Sequence, residues 1–152
     1  MTAPTFDDPV ERIKLIHSAN WTPVNTGNVT PDFQEMREMV NQYGKYQVKF
    51  YRRAPSDIKE IGRGSHFDEG RLVTVEIRVT MVQGDFASAE TLFNQFCTES
   101  KRITGSDAVR KNPGGGWDYL EWGQENDQSY RGNGFFRIMI DYVLWRYGVS
   151  KV

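Results

Sequence analysis

The chain has 152 residues, of which 38% are hydrophobic, 13% aromatic and 26% charged, with a formal net charge of −1. This length suits a single domain with its own core, the apolar content excludes disorder over most of it, and near-zero charge gives no general attraction to nucleic acid or anionic membranes. No run of about 18 apolar residues could span a bilayer, residues 1–8 do not read as a secretory signal, and a lone cysteine, Cys97, excludes an internal disulfide.

Residues 1–7 precede the first regular segment and are expected to be flexible. Asp8 is a good helix N-cap, Pro9 suits the first helical position, and Glu11 completes a capping-box spacing. Val10, Ile13 and Ile16 form a narrow apolar stripe that places His17 on the wet flank, and Asn20 is a candidate left-handed terminator. Residues 21–31, punctuated by Pro23, Gly27 and Pro31, read as loop. Phe33, Met36, Met39, Val40 and Tyr43 have helical spacing, making residues 32–43 a candidate helix that needs tertiary support.

Tyr46, Val48 and Phe50 alternate as in a strand. A long connection, residues 54–70, leads to a stronger alternation in which Val73, Val75, Ile77, Val79 and Met81 oppose Thr74, Glu76, Arg78 and Thr80. Residues 86–104 carry a helical apolar face of Ala89, Leu92, Phe93, Phe96 and Ile103, closed by Gly105. A glycine-rich turn at 112–116 precedes a short aromatic strand, Trp117 to Trp122, then a polar loop at 123–134. The last strand runs from Phe135 to Tyr147. One of its faces is apolar, and the other mixes Arg137, Met139, Asp141, Val143 and Trp145, which suits lateral packing or cover by a helix. The expectation is one α+β domain over 1–152: an antiparallel sheet of about four strands with two or three helices packed on one face.

Chemistry is sparse. His66-Phe67-Asp68-Glu69 groups three potential ligands but matches no zinc spacing. The glycines of 62–65 and 112–116 lack the endings of phosphate-binding loops, and Cys97 sits in a helix pattern beside apolar positions, as a buried structural thiol does. No catalytic residue, metal site or cofactor is expected. The charges are more informative. Residues 101–111 hold Lys101, Arg102, Arg110 and Lys111 against Asp107, a balance of +3, whereas residues 118–127 hold Asp118, Glu121, Glu125 and Asp127 with no base, a balance of −4. From Arg52 to Arg71 the balance is +1, with Arg52, Arg53, Lys59 and Arg63 among the bases. These are either ordinary solvated loops or the two halves of a head-to-tail contact, basic patch to acidic patch, of the kind that closes into a ring. In the second reading Trp117, Tyr119 and Trp122 supply anchors, and a place in the core is the competing explanation for at least one of the two tryptophans.

The order of these parts resembles that of tail-terminator and head–tail connection proteins of tailed bacteriophages. An opening helix, Asp8 to Asn20, precedes a loop ending in Thr30-Pro31. Then come a strand from Tyr46 to Arg53, a long loop, the alternating strand from Arg71, a helix from Ala87 to Ile103, a Gly/aromatic strand from Gly116 to Trp122 and the final strand from Phe135. The resemblance covers nearly the whole chain and rests on no signature residue. It implies a virion protein, assembled in the host cytoplasm, that forms a hexameric ring at the capsid-facing end of the tail tube. Its partners would be further copies of itself, the tube protein and neck proteins, with DNA passing through the lumen without specific binding. It also implies no cofactor, no catalysis and no membrane. Two other readings stand beside it. One is a nucleic-acid module using Arg52, Arg53, Lys59 and Arg63 with Tyr46, Phe50 and Tyr51. The other is a small α+β enzyme with a dispersed site.

Overall fold

The Asp8 side chain accepts hydrogen bonds from the amides of Val10 (2.9 Å) and Glu11 (3.3 Å), satisfying orphan donors at the start of α1, Pro9–Asn20. The computed structural model describes residues 8–23, 31–35, 46–52, 58–63, 66–80, 86–130 and 135–150. Beyond α1 the elements are β1 (Asp32–Glu35), β2 (Tyr46–Tyr51), β3 (Ile58–Arg63), β4 (His66–Thr80), α2 (Phe86–Gly105), α3 (Asp107–Arg110), β5 (Tyr119–Asp127) and β6 (Phe135–Ser150). The fold is α+β, as the sequence pattern implies.

The six strands form one sheet in the order β1-β2-β4-β6-β5, with β3 also paired to β4. β4 and β6 are its long central pair, antiparallel from Thr80↔Phe135 to His66↔Ser150. On its other side, β4 pairs with β3 over its first part and with β2 over its second. The register puts Val73, Val75, Ile77 and Val79 beside Tyr142, Ile140, Ile138 and Phe136, all on one face. These join Val48, Phe50, Val10, Ile13, Ile16, Leu92, Phe93, Phe96 and Ile103 in a single core. Both long helices therefore cover the same face, α1 against β1, β2 and β4, and α2 against β4, β5 and β6.

Several boundaries differ from the sequence reading, each for a local reason. The sheet is larger than four strands and mixed, because β1 pairs parallel to β2. Residues 32–35 are strand rather than helix. That pairing sets Phe33 opposite Val48 and packs its ring against Trp21 (5.4 Å) and Phe50 (6.2 Å), so tertiary packing overrides helical spacing. Residues 36–43 of the candidate helix lie outside the described residues, as does Met81. The connection 54–70 is not loop throughout: it holds β3 and the start of β4 as an antiparallel pair. β5 continues to Asp127 instead of ending at Trp122, carried by pairing to β6 despite its polar sequence. α1 does end at Asn20, whose side-chain amide donates to the Ile16 carbonyl at 2.8 Å, but the next residue, Trp21, is extended rather than left-handed.

The glycine-rich turn is structural. Gly114, Gly115 and Gly116 all have positive φ (79°, 63° and 87°), and the turn closes with Trp117 N–H donating to the Gly114 carbonyl at 3.1 Å. A Cβ on Gly114 would also lie 3.1 Å from the Arg12 guanidinium, which donates from Nε to the Pro113 carbonyl at 2.8 Å. The turn thus delivers Trp117, 3% exposed, into the core and ties it to α1.

Ile77, fully buried at the centre of β4, gives the core its test. Ile77→Ala is expected to lower stability by roughly 2–5 kcal/mol, whereas Thr80→Ala, at an exposed position of the same strand, stays within about 0.5 kcal/mol of the parent. Urea unfolding followed by tryptophan fluorescence measures both.

Candidate functional site

The acidic segment 118–127 is an edge strand. β5 ends the sheet path, pairs with β6 on one side, and has no strand on its other side among the described residues. Every residue from Glu121 to Asp127 is exposed. The ladder shifts between Trp122 and Glu125, where Gly123 lies so close to Asp141 that a Cβ would come within 3.0 Å of its backbone carbonyl and its Cβ. Such a bulge twists an edge and accompanies edge protection in natural sheets.

The basic set on α2 and α3 lies against this strand in the same chain. Lys101 Nζ is 2.6 Å from Glu125 Oε1, an exposed pair of little energetic weight. The Arg110 guanidinium sits 5.9 Å from the centre of the Tyr119 ring. Trp122, 49% exposed, donates from Nε1 to Thr104 Oγ1 at 3.0 Å and covers Gly105, whose added Cβ would meet its ring at 2.8 Å. Gly105, Arg110, Tyr119, Glu121 and Trp122 line an open cleft of about 270 Å³ beside the start of β5.

Most of the other charges named from the sequence also have partners within the chain. Arg102 pairs with Glu99, and Arg110 and Lys111 pair with Asp107 at 3.3 and 3.9 Å. Asp118 accepts from the Tyr147 amide (2.8 Å), Asp127 from the Ser129 amide (2.9 Å) and Glu121 from Trp145 Nε1 (2.7 Å). The Trp145 ring packs over Gly70, where a Cβ would come within 3.0 Å. On the sheet face turned away from the helices, Arg137 binds buried Glu76 at 2.6 Å and Thr74 donates to buried Asp141 at 2.8 Å. Within the chain Lys101 reaches the acidic segment 118–127 through Glu125, whereas Arg102, Arg110 and Lys111 pair with Glu99 and Asp107. Arg52, just past β2, and Lys59 and Arg63, on β3, belong to the opposite side of the sheet. Arg53 lies outside the described residues.

The aromatic set of the nucleic-acid reading is not a stacking platform. Phe50 is fully buried, Tyr46 packs edge-on to Phe96 at 6.1 Å, and the Tyr51 hydroxyl contacts Met139 Sδ at 3.1 Å. The Cys97 thiol is pushed up to about 12 by burial, which removes its thiolate at neutral pH. Among the described residues no group of three His, Cys, Asp or Glu side chains is arranged to hold a metal.

His17 is in the core rather than on the wet flank. Its ring stacks among Phe50, Tyr142 and Trp21 and is fully buried. The Ile13 carbonyl, 2.9 Å from Nδ1, can only accept, so Nδ1 carries the proton and the bare Nε2 accepts from Ser100 Oγ at 2.8 Å. Ser100 Oγ in turn accepts from the Tyr142 hydroxyl at 2.7 Å. A serine beside a histidine resembles a nucleophile and its base, but His17, Ser100 and Tyr142 are all inaccessible to solvent, and the chain serves to satisfy polar groups where α1, α2 and β6 meet. His17 follows Ile13 by four and Val10 by seven, so the helical phase did carry the signal for its burial. Glu69, paired with Arg71 and Arg146 at 2.5 Å each, is a second buried polar cluster that spacing alone does not reveal. Burial pushes its pKa up, but the hydrogen bonds and charges of both arginines outweigh it and hold the carboxyl below its usual value.

Burial lowers the His17 pKa to about 4, against a smaller opposing effect of the Ile13 hydrogen bond. The unfolded chain therefore takes up a proton near pH 6.5 that the folded protein refuses until about pH 4. Stability is full above pH 6.5 and falls between those values by about 1.4 kcal/mol per pH unit, on the order of 3 kcal/mol in all. Glu69 acts lower, its contribution disappearing as pH falls below its unfolded value. Urea midpoints at pH 7 and pH 4.5 should show this slope in the parent and its loss in His17→Gln. No protein-family model matches the chain, and no curated protein matches it in sequence.

Proposed function

We propose that the chain is a structural subunit of a tailed-phage virion, a ring-forming tail terminator that caps the tail tube and joins it to the neck. One observation carries the reading beyond resemblance: the sheet has two unlike sides. β5, with Asp118 just before it, bears four acids and no base at one side, whereas β1 and β3 lie at the other. A subunit with two different open sides suits a head-to-tail contact, and head-to-tail contacts close into rings when the rotation between neighbours permits. The core between those sides, with the described helices α1 and α2 on one face, suits a wall element. A role at a neighbouring neck position draws on the same features.

A ring of this kind passes DNA without gripping it, and a net charge of −1 is compatible with that, since each phosphate contact adds a salt-dependent attraction that would hinder passage.

Light scattering after size exclusion, across the soluble concentration range and at two salt concentrations, tests the reading. A closed species near six subunits, weakened by salt, is expected. A monomer at every concentration contradicts it.

A further inference from the structure

We propose that neighbouring subunits join by strand addition, the free edge of β5 in one copy pairing with the free edge of β3 in the next. The sheet would then continue from chain to chain. The inference rests on the ring reading above and names the surfaces that make it.

Three strands have an edge with no strand beside it among the described residues: β5 at one side of the sheet, and β1 and β3 at the other. Their charges differ. β5 with Asp118 carries −4. β1, Asp32-Phe33-Gln34-Glu35, carries −2. β3 carries Lys59 and Arg63 against Glu60, a balance of +1. Two β5 edges would set like charges opposite each other, and so would β5 against β1, a destabilising arrangement across a ladder. Only β3 is complementary. Charge thus selects one partner edge out of three and makes the contact heterologous.

The geometry of β5 suits an added strand. It is nine residues long and exposed from Glu121 onward, and its acids and bulge guard it against another acidic edge while the acids favour a basic one. Main-chain hydrogen bonds along such an edge supply affinity, and pockets beside it supply specificity. The cleft lined by Tyr119, Trp122 and Arg110 lies beside the start of β5. The bulge at Gly123 divides β5 into runs of four residues, Tyr119–Trp122, and three, Glu125–Asp127, so a straight contact is shorter than the six residues of β3.

Two variants, each altering one edge, decide it. Gln124→Lys, Glu125→Lys and Asn126→Lys together bring β5 with Asp118 from −4 to 0 at exposed positions. Lys59→Glu with Arg63→Glu takes β3 from +1 to −3. Each variant alone should need at least about tenfold more protein to assemble, and an equimolar mixture should form a one-to-one dimer, because each copy retains one unaltered edge that fits the other. The dimer also shows that both chains are folded. If either variant alone forms the parent's ring unchanged, or the mixture stays monomeric, edge pairing is overturned while the ring reading stands. If the parent itself never assembles, both fall.

Discussion

The register between β4 and β6 is the constraint on which the other elements depend. These strands, 15 and 16 residues long, pair along almost their whole length and set which side chains share a face. A slip of one residue would turn Val73, Val75, Ile77 and Val79 away from the helices and bring Thr74 and Glu76 into the core. Because β4 is longer than any strand at its other side, it accommodates β3 and β2 end to end, and β6 then carries β5. α2 connects the two halves, leaving β4, crossing the core face and returning through α3 and the glycine turn to β5.

Buried polar groups give that register specificity beyond apolar burial. Thr74 with Asp141, Glu76 with Arg137, and Glu69 with Arg146 each join β4 to β6. The first and last join residues directly opposite or nearly so in the ladder, and a shifted pairing would strand buried carboxylates without partners at a large desolvation cost. The chain from Tyr142 through Ser100 to His17 does the same between layers, fixing the rotation of α1 and α2 over the sheet.

Periodicity made β2, β4, β6, α1 and α2 legible, since each has an apolar face at the spacing of its own geometry. What it did not reveal has physical causes. β1 depends on Phe33 packing between Trp21 and Phe50, a contact invisible along the chain. β3 and the outer half of β5 are polar strands held by a neighbour's ladder rather than by an apolar face. The basic and acidic segments could be read as charges, but not their positions. Lys101 meets Glu125 within one chain, whereas Lys59 and Arg63 belong to a strand at the far side of the sheet. Trp117 is the core tryptophan and Trp122 the exposed one, a division that composition leaves open.

A sheet with one acidic edge strand, one net-basic edge strand and its described helices on one face is suited to joining copies of itself in one direction, and the proposed assembly depends on that asymmetry. Amide hydrogen exchange on dilute and concentrated protein tests it most directly. Amides in 119–127 and in 58–63 should gain protection together as the mass rises, while those at the centre of β4 and β6 stay protected throughout. A rise in mass with protection gained at only one of these strands, or at neither, would contradict it.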